Sequence, residues 1–169
     1  MFYSDDSRVT PNEYEALIRY AEQANIAIVE IGIYRGGTSE GLSTIAKDGV
    51  PTFHIDNWSY NRDWMKTPLE IFDSISEYKK SFLIIGDSST LGKHWIGQID
   101  FLFIDGDHSF IGCKKDALAW EKNVVIGGII AFHDTAFCEV DAVVNEMIES
   151  KRFELVEQVD TIKFIQKNC

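Results

Sequence analysis

Short apolar segments that end in a glycine or an acidic residue recur along this chain, and segments with helical spacing follow them. The clearest example is residues 99–110, IDFLFIDGDHSF, where an apolar run leads directly into Asp105, Asp107 and His108. Continuous apolar strands that alternate with helices are typical of a parallel sheet covered by helices on both faces. The pattern therefore predicts an α/β fold.

Seven segments are predicted to be strands, and the last two of them form a closing hairpin. The predicted strands cover residues 26–31, 52–55, 82–85, 101–104, 124–132, 153–157 and 161–165. In the fifth segment, Gly127 and Gly128 predict a turn. Helices are predicted over residues 11–24, 38–47, 67–80, 90–96 and 109–122, and along Val140–Ile148. The sequences TPNE and TPLE, which begin at Thr10 and Thr67, are capping boxes with proline at the first helical position.

Length and charge limit the classes of function. A chain of 169 residues is predicted to form one domain over residues 1–169, with a cofactor-binding half (26–98) and an acceptor or catalytic half (99–169). The net charge of −11 argues against a nucleic-acid partner, because affinity for phosphates depends largely on lysine and arginine. We find no apolar run of membrane-spanning length and no signal peptide, and three scattered cysteines suggest a reducing cytoplasm.

Carboxylates stand at or near the ends of five predicted parallel strands. They are Glu30, Asp56, Asp87, Asp105 and Asp134. In open α/β sheets, ligands bind at the carboxyl ends of the strands. We therefore expect these side chains to lie in one layer and to form a site.

The turn after the first strand reads VEIGIYRGGTS over residues 29–39 and is rich in glycine. Tyr34 stands where a dinucleotide-binding fingerprint needs its second glycine, and no lysine follows Gly37 as a P-loop requires. A ligand that has a cationic amino-acid end and no phosphates fits Glu30 better. Asp56, at the next strand end, is suited to accept both hydroxyls of a ribose.

Several motifs occur in one order along the chain. They are E-x-G-x-x-x-G-G, an acid that ends the second strand, GDS, IDGDHSF…D…W and GGIIAFHD, and they extend over about residues 26–135. In this the sequence resembles the S-adenosylmethionine-dependent methyltransferases of the Rossmann-like superfamily. The resemblance is to the "methyltransferase domain 24" type, which includes O-methyltransferases of macrolides and antibiotic sugars. It implies a mostly parallel seven-stranded sheet with helices on both faces and a C-terminal antiparallel strand.

The resemblance also implies a binding site for S-adenosylmethionine. The glycine turn would hold the methionine moiety, the acid after the second strand would bind the ribose, and the GDS acid would accept from the adenine amino group. The residues implied in cofactor binding are Glu30, Gly32, Tyr34, Gly36, Gly37, Asp56, Asn57, Trp58, Asp87, Ser88 and Asp105.

For catalysis, the resemblance implies Asp105, Asp107 and His108, with a divalent metal such as Mg²⁺ or Mn²⁺ held by Asp105, His133 and Asp134. His133 stands where relatives carry a carboxylate, which puts Mg²⁺ in doubt. The base remains open between His108, Asp107 and His133. Other roles are open too, because Asp105 and Asp107 could cap the following helix and His108 could be structural. His54 and His94 are expected to be structural.

Two classes of function follow from the sequence. The first is transfer of a methyl group to a hydroxyl of a small molecule such as a sugar or polyol, base-assisted and with or without a metal. The alternative is a non-catalytic domain that binds S-adenosylmethionine or a nucleotide and serves as an interaction module. Residues 57–66 are expected to form a mobile lid whose aromatic side chains could stack on the ligand. A homodimer is compatible with the sequence, and no membrane partner is expected.

Overall fold

Two strands that are distant in sequence, β1 (Ile28–Ile31) and β4 (Ile99–Ile104), pair side by side in the sheet of this protein. The computed structural model describes residues 7–59, 65–78 and 80–169. The other strands are β2 (Thr52–Asp56), β3 (Ser81–Ile85), β5 (Val124–Phe132), β6 (Phe153–Val159) and β7 (Ile162–Lys167). The helices are α1 (Pro11–Ala21), α2 (Gly37–Ile45), α3 (Pro68–Ile75), α4 (Ser88–His94), α5 (Phe110–Trp120) and α6 (Cys138–Glu149).

The seven strands form one sheet in the order β3-β2-β1-β4-β5-β7-β6. The first five strands pair in parallel, and β7 is antiparallel to both β5 and β6. The fold is therefore the predicted Rossmann-like methyltransferase fold, with a mostly parallel sheet and an antiparallel C-terminal strand. The order of strands reverses between β1 and β4, and ligands of open α/β sheets bind at such a switch point.

Alternation along the strands divides the core into two layers. Val29 and Ile31 pack with Leu102, Ile104 and the helices α5 and α6 on one side, which we call the α5 face. Ile28 packs on the opposite side with Phe101, Phe103, α1 and α2, which we call the α1 face. Consecutive side chains of a strand point to opposite faces, so Glu30 belongs to the α1 face.

Several helices are shorter than predicted, because their last turns tighten. α1 ends at Ala21 rather than at residue 24, since the amides of Gln23 and Ala24 bond to carbonyls only three residues earlier. α3 ends at Ile75 rather than at residue 80, where the Tyr78 amide bonds to the carbonyl of Ile75. The two capping boxes form as predicted and fix the starts of both helices.

The predicted turn at Gly127 and Gly128 is instead an irregularity inside one strand. Ile99 pairs with Val124 and Phe101 pairs with Ile129, so β4 advances two residues while β5 advances five. Gly127 has a φ of 83°, which lets the extra residues leave the ladder without ending the strand.

Candidate active site

A cavity of about 930 Å³ opens at the carboxyl edge of the parallel strands. Residues at or after the ends of five different strands line it, and they include four of the five carboxylates expected at this edge of the sheet, Glu30 being the exception. Of the sequence-predicted site residues, those on its wall are Gly32, Tyr34, Asp56, Asn57, Asp87, Ser88, Asp105, Asp107, His108, His133 and Asp134. The volume is in the range of pockets that enclose a small organic ligand.

Gly32 joins the two halves of this site. Its φ is 86°, and a Cβ built on it would lie 2.0 Å from the carbonyl oxygen of Asp105. The end of β1 and the end of β4 therefore touch through their backbones at the switch point. This contact brings the two strand ends together at the cavity wall, and only glycine allows it.

Asp56 is held in place by two backbone amides. Its Oδ2 accepts from the amide of Ile33 at 2.9 Å, and its Oδ1 accepts from the amide of Trp58 at 2.7 Å. Each carboxylate oxygen can accept a second hydrogen bond. Asp56 thus offers two oriented acceptors to the cavity, which fits a pair of neighbouring hydroxyls on a ribose.

Glu30 lies outside the cavity wall, although the resemblance implied a role for it in cofactor binding. It is buried on the α1 face, where its Oε2 accepts from Ser39 Oγ at 2.5 Å and lies 2.6 Å from Nδ1 of His54. His54 Nε2 lies 2.9 Å from Ser43 Oγ. Strand alternation turns Glu30 under α2, so its carboxylate fixes the helix that follows the glycine turn.

Three more of the implied cofactor residues also lie outside the wall. Gly36 has a φ of 81° and packs against Ile71, and Gly37 begins α2 directly behind it. Trp58 donates from Nε1 to the carbonyl of Lys66 at 3.4 Å. These residues shape the turns that carry Tyr34 and Asn57, which do line the cavity. Of the proposed lid, residues 60–64 lie outside the described part of the chain, including Tyr60 and Trp64.

Asp87 serves as the N-cap of α4. Its Oδ1 accepts from the amide of Thr90 at 2.7 Å and from Ser89 Oγ at 2.9 Å. The hydrogen bonds from Thr90 and then Ser89 lower the pKa of this exposed carboxyl. Asp87 lines the cavity, but one of its two oxygens is already used by the helix.

Four titratable side chains meet at the other end of the cavity, after β4 and β5. Asp105 Oδ1 lies 3.0 Å from Nδ1 of His133 and 3.4 Å from Nε2 of His108. Asp134 Oδ2 lies 3.3 Å from Nε2 of His108 and 3.5 Å from Nδ1 of His133. We call these four side chains the His–Asp cluster.

The His–Asp cluster favours charged forms of its members. Burial opposes protonation of His133, but the hydrogen bond to Asp105 and the charges of Asp105, Asp134 and Glu13 raise its pKa to about 9. The hydrogen bond to Asp105 also raises the pKa of the half-exposed His108, against its partial burial. Burial raises the pKa of Asp105, but hydrogen bonds from the two histidines outweigh this and lower it.

Glu13 is a member of this environment that the sequence reasoning did not connect with the site. Its Oε1 accepts from the Thr161 amide at 2.7 Å, and its Oε2 lies 3.5 Å from Nε2 of His133. Burial raises the pKa of Glu13, but hydrogen bonds from Thr161 and Thr10 lower it overall. The capping box marked Glu13 as a helix-start residue and gave no sign of its contact with His133.

Asp107 and Asp105 differ in their local roles. Asp107 Oδ1 accepts from the amide of Ser109 at 2.9 Å, and its side chain packs against Gly112. The N-cap of α5 is Ser109, which accepts from the amide of Gly112, so neither aspartate caps the helix itself. Asp105 faces the two histidines instead, which leaves it available for chemistry.

One set of side chains in the described chain has the spacing of a metal site. Ligand atoms of Asp105, His108 and Asp134 all lie within 4.8 Å of one another. Two carboxylates and one imidazole fit a divalent cation such as Mn²⁺ at least as well as Mg²⁺. The set contains His108 rather than His133, which lies deeper and is occupied by Asp105 and Glu13.

Other residues of the wall were not singled out from the sequence as site residues. The guanidinium of Arg8 lies 4.8 Å above the ring of Tyr34, and the ring of Phe137 stacks on His108 with centroids 5.7 Å apart. Lys115 and Asp116 of α5 also line the cavity. Asp116 was the D of the IDGDHSF…D…W motif, which was the available signal for its position.

Comparison with known proteins agrees with this geometry. A family model described as "Methyltransferase domain" (Methyltransf_24) matches residues 29–135, which is more than half of the chain. The O-methyltransferase NovP has a TM-score of 0.79 and 15% identity, over 98% of this chain and 84% of that one. The O-methyltransferase from Bacillus cereus, solved in complex with SAH, has a TM-score of 0.74 and 14% identity, over 98% and 84%. CalS11, a TDP-rhamnose 3'-O-methyltransferase of calicheamicin biosynthesis, has a TM-score of 0.70 and 13% identity, over 91% and 76%.

The chain belongs to this methyltransferase domain family, and it is an S-adenosylmethionine-dependent methyltransferase. At identities of 13–15% the likeness to solved structures concerns the fold. Among the described residues, no helix combines the length and the apolar character needed to cross a membrane.

Proposed function

We propose that this protein transfers the methyl group of S-adenosylmethionine to a hydroxyl of a small molecule such as a sugar or polyol. The observation that carries the proposal is the His–Asp cluster, which lies on the wall of the same cavity as Asp56 and Gly32. A hydroxyl held at this cluster has both a hydrogen-bond acceptor and a proton acceptor beside the cofactor. Solved O-methyltransferases with the same fold support the reaction class.

In this reaction the acceptor oxygen forms a bond to the methyl carbon while the bond from that carbon to the sulfonium sulfur breaks. The hydroxyl proton passes to a base, and the products are a methyl ether and S-adenosylhomocysteine. Because the donor is already activated, the protein mainly has to align oxygen, carbon and sulfur. A positioned base adds about 10²- to 10⁴-fold.

His108 is the best-placed base of the three that the sequence left open. His133 is buried, and both of its ring nitrogens lie near carboxylates, Nδ1 near Asp105 and Nε2 near Glu13, which leaves it less accessible to an acceptor hydroxyl. Asp107 is turned toward the start of α5. His108 lines the cavity with a half-exposed ring, and Asp105 and Asp134 orient its Nε2.

In a second arrangement, the same end of the site would hold a divalent cation. The spacing of Asp105, His108 and Asp134 supports this arrangement. A cation there would orient the acceptor oxygen and make its proton more acidic. His108 would then be a ligand, and the two arrangements exclude each other.

The test is release of S-adenosylhomocysteine in the presence of a panel of sugars and polyols, with added Mg²⁺ or Mn²⁺. Acceptor-dependent release is expected, and its absence with every hydroxylated acceptor would remove the proposal. Treatment with EDTA separates the two arrangements, because only the cation arrangement loses turnover and regains it with Mn²⁺. If the cation arrangement holds, Asp105→Asn should need a higher Mn²⁺ concentration to regain turnover, because the cation loses one carboxylate ligand.

If EDTA leaves turnover unchanged, His108→Gln tests the base. We expect its turnover to fall by about 100-fold or more while its affinity for S-adenosylhomocysteine stays within about threefold of the wild type. Asp107→Asn is the matched variant at the other candidate base. If Asp107→Asn loses turnover and His108→Gln keeps it, the base is Asp107.

The remaining expectations from the sequence stay proposals. We propose a cytoplasmic protein with no nucleic-acid or membrane partner, in line with its net charge of −11. A homodimer is tested by sedimentation of the whole chain. The alternative of a non-catalytic interaction module predicts binding of S-adenosylhomocysteine with no turnover for any acceptor.

A further inference from the structure

Asp116 on α5 is a buried acidic residue to which the proposed methyl transfer assigns no role. Only 5% of its surface is exposed, yet it forms part of the cavity wall. It lies between the end of β3, which it contacts through Ser88, and the loop after β4, which it approaches at Gly106. This places a carboxyl group at the end of the cavity where Asp87 and Ser88 follow β3.

The carboxyl group of Asp116 is held in one orientation. Ser88 Oγ donates a hydrogen bond to Oδ1. Trp120, one helical turn along α5, donates from Nε1 to the carbonyl of Ser88 at 2.9 Å. Two residues of α5 therefore form hydrogen bonds with Ser88. A Cβ on Gly106 would lie 3.3 Å from Oδ2, which shows how closely that loop packs against the other oxygen.

The second oxygen, Oδ2, is the part of Asp116 that remains for a ligand. Across residues 7–59, 65–78 and 80–169, it receives no hydrogen bond, and no cation pairs with the side chain. Burial, followed by the charges of Asp87 and Asp107 and against the Ser88 hydrogen bond, raises the pKa of Asp116 to about 6. Because Asp116 lines the cavity and its Oδ2 has no protein donor, a ligand that brings an N–H can donate a hydrogen bond to this oxygen.

Asp87, the residue that the family resemblance assigned to the adenine, is less suited to this task. It is exposed and its Oδ1 already accepts two hydrogen bonds at the start of α4. An exposed carboxylate gains little from one more hydrogen bond, because water competes for it. An oriented carboxylate oxygen on a mostly buried side chain discriminates better between ligands, because less water competes for its hydrogen bond.

We propose that Asp116 is a specificity-determining residue for the cofactor, and that its Oδ2 accepts a hydrogen bond from the 6-amino group of the adenine ring. Ser88 acts as the positioning residue that orients the carboxyl group. The inference rests on the use of S-adenosylmethionine, on which the proposed function also depends, and it adds the group that selects adenine over other purines.

The experiment measures calorimetric affinity for S-adenosylhomocysteine and for S-inosylhomocysteine, which carries an oxo group in place of the 6-amino group. The wild type should prefer the adenine compound by about 10- to 100-fold, the value of one hydrogen bond to a charged, buried acceptor. In Asp116→Asn the preference should shrink to less than about threefold or reverse, because an amide can donate to the oxo group. Asp87→Asn is the matched variant at the same end of the cavity.

The outcomes separate this inference from the proposed function. If the wild type binds S-adenosylhomocysteine but Asp116→Asn keeps the full preference, the assignment of Asp116 is wrong and the methyltransferase proposal is untouched. If Asp87→Asn alone loses the preference, the adenine is recognised by Asp87. If the wild type binds neither compound, both proposals fall. If Asp116 has only a structural role, Asp116→Asn should lose affinity for both compounds equally, and that result also overturns the inference.

Discussion

Gly32 shows at the scale of one residue how the two halves of the cavity depend on each other. Its positive φ and its contact with the Asp105 carbonyl combine two separate reasons for glycine. Gly127 has nearly the same φ, 83°, but no atom lies within 4 Å of a Cβ built there. Comparing Gly32 with Gly127 therefore distinguishes the effect of backbone strain from the effect of the close contact at Asp105.

We expect Gly32→Ala to destabilise the protein by about 3 kcal/mol or more, and to lose most of its affinity for S-adenosylhomocysteine. Gly127→Ala should cost about 1–2 kcal/mol from backbone strain alone and should keep the affinity. Urea unfolding and calorimetry on both variants check this. Equal losses of stability in the two variants would mean that the contact at Asp105 contributes little.

A second single-residue effect is that the raised pKa of Asp116 makes the stability of the protein depend on pH. Its folded pKa of about 6 lies above the unfolded value of about 3.9, so the folded state binds the proton more tightly. Its contribution is therefore most favourable below about pH 4, falls between pH 4 and 6, and stays unfavourable above pH 6 by about 2–3 kcal/mol.

Asp116→Asn should remove this penalty, so its stability relative to the wild type should rise as the pH is raised from 4 to 8. Asp87→Asn provides the opposite sign, because the pKa of Asp87 is lowered and its stabilisation is lost toward acid pH. Urea unfolding of the three proteins across this range measures both effects. A relative stability of Asp116→Asn that does not change with pH would contradict the raised pKa.

At the scale of elements, α5 connects the two ends of the cavity. Ser109 caps its start next to His108, and its last residue, Trp120, bonds to the carbonyl of Ser88 after β3. The helix also contributes Asp116 between these points. A shift of α5 would therefore move the proposed base and the proposed adenine contact together.

The segment after β2 carries the prediction of a lid. Asn57, Ser59 and Met65 line the cavity, so a bound cofactor would contact both described ends of residues 57–66. We expect limited proteolysis within this segment to slow when S-adenosylmethionine is added, because the contacts hold the segment in place. Cleavage sites elsewhere in the chain give the internal control. Equal cleavage with and without cofactor would count against a lid.

At the scale of the whole molecule, ligand binding at the switch point should stabilise the entire fold. The cavity is built from the ends of five strands, so occupying it stabilises both halves of the sheet. At a concentration of S-adenosylhomocysteine about 100-fold above its Kd, linkage gives about 2.7 kcal/mol.

For a protein of this size, that free energy corresponds to a rise in Tm of about 5–10 °C. Differential scanning fluorimetry measures the shift. Asp56→Ala should show a smaller shift at the same concentration, because it lacks the proposed ribose acceptors. An unchanged Tm at saturating ligand would contradict binding in this cavity.

The sequence by itself determined the α/β architecture and which acidic residues stand at the carboxyl edge of the sheet. Apolar runs followed by helical spacing predict the α/β architecture, and the capping boxes at Thr10 and Thr67 fix two helix starts because they depend on local hydrogen bonds. The strand-end carboxylates Asp56, Asp105 and Asp134 follow from the same local pattern. These features need only neighbouring residues, which is why the sequence reveals them.

Tertiary structure decided which of these groups meet. Strand alternation turns Glu30 away from the cavity and under α2, while the order β1-β4 brings Gly32 against Asp105. The contacts between Glu13 and His133, and between Asp116 and Ser88, join residues far apart in the chain. Burial and neighbouring charge then set the pKa of each group, and both depend on the packing of elements that no local pattern specifies.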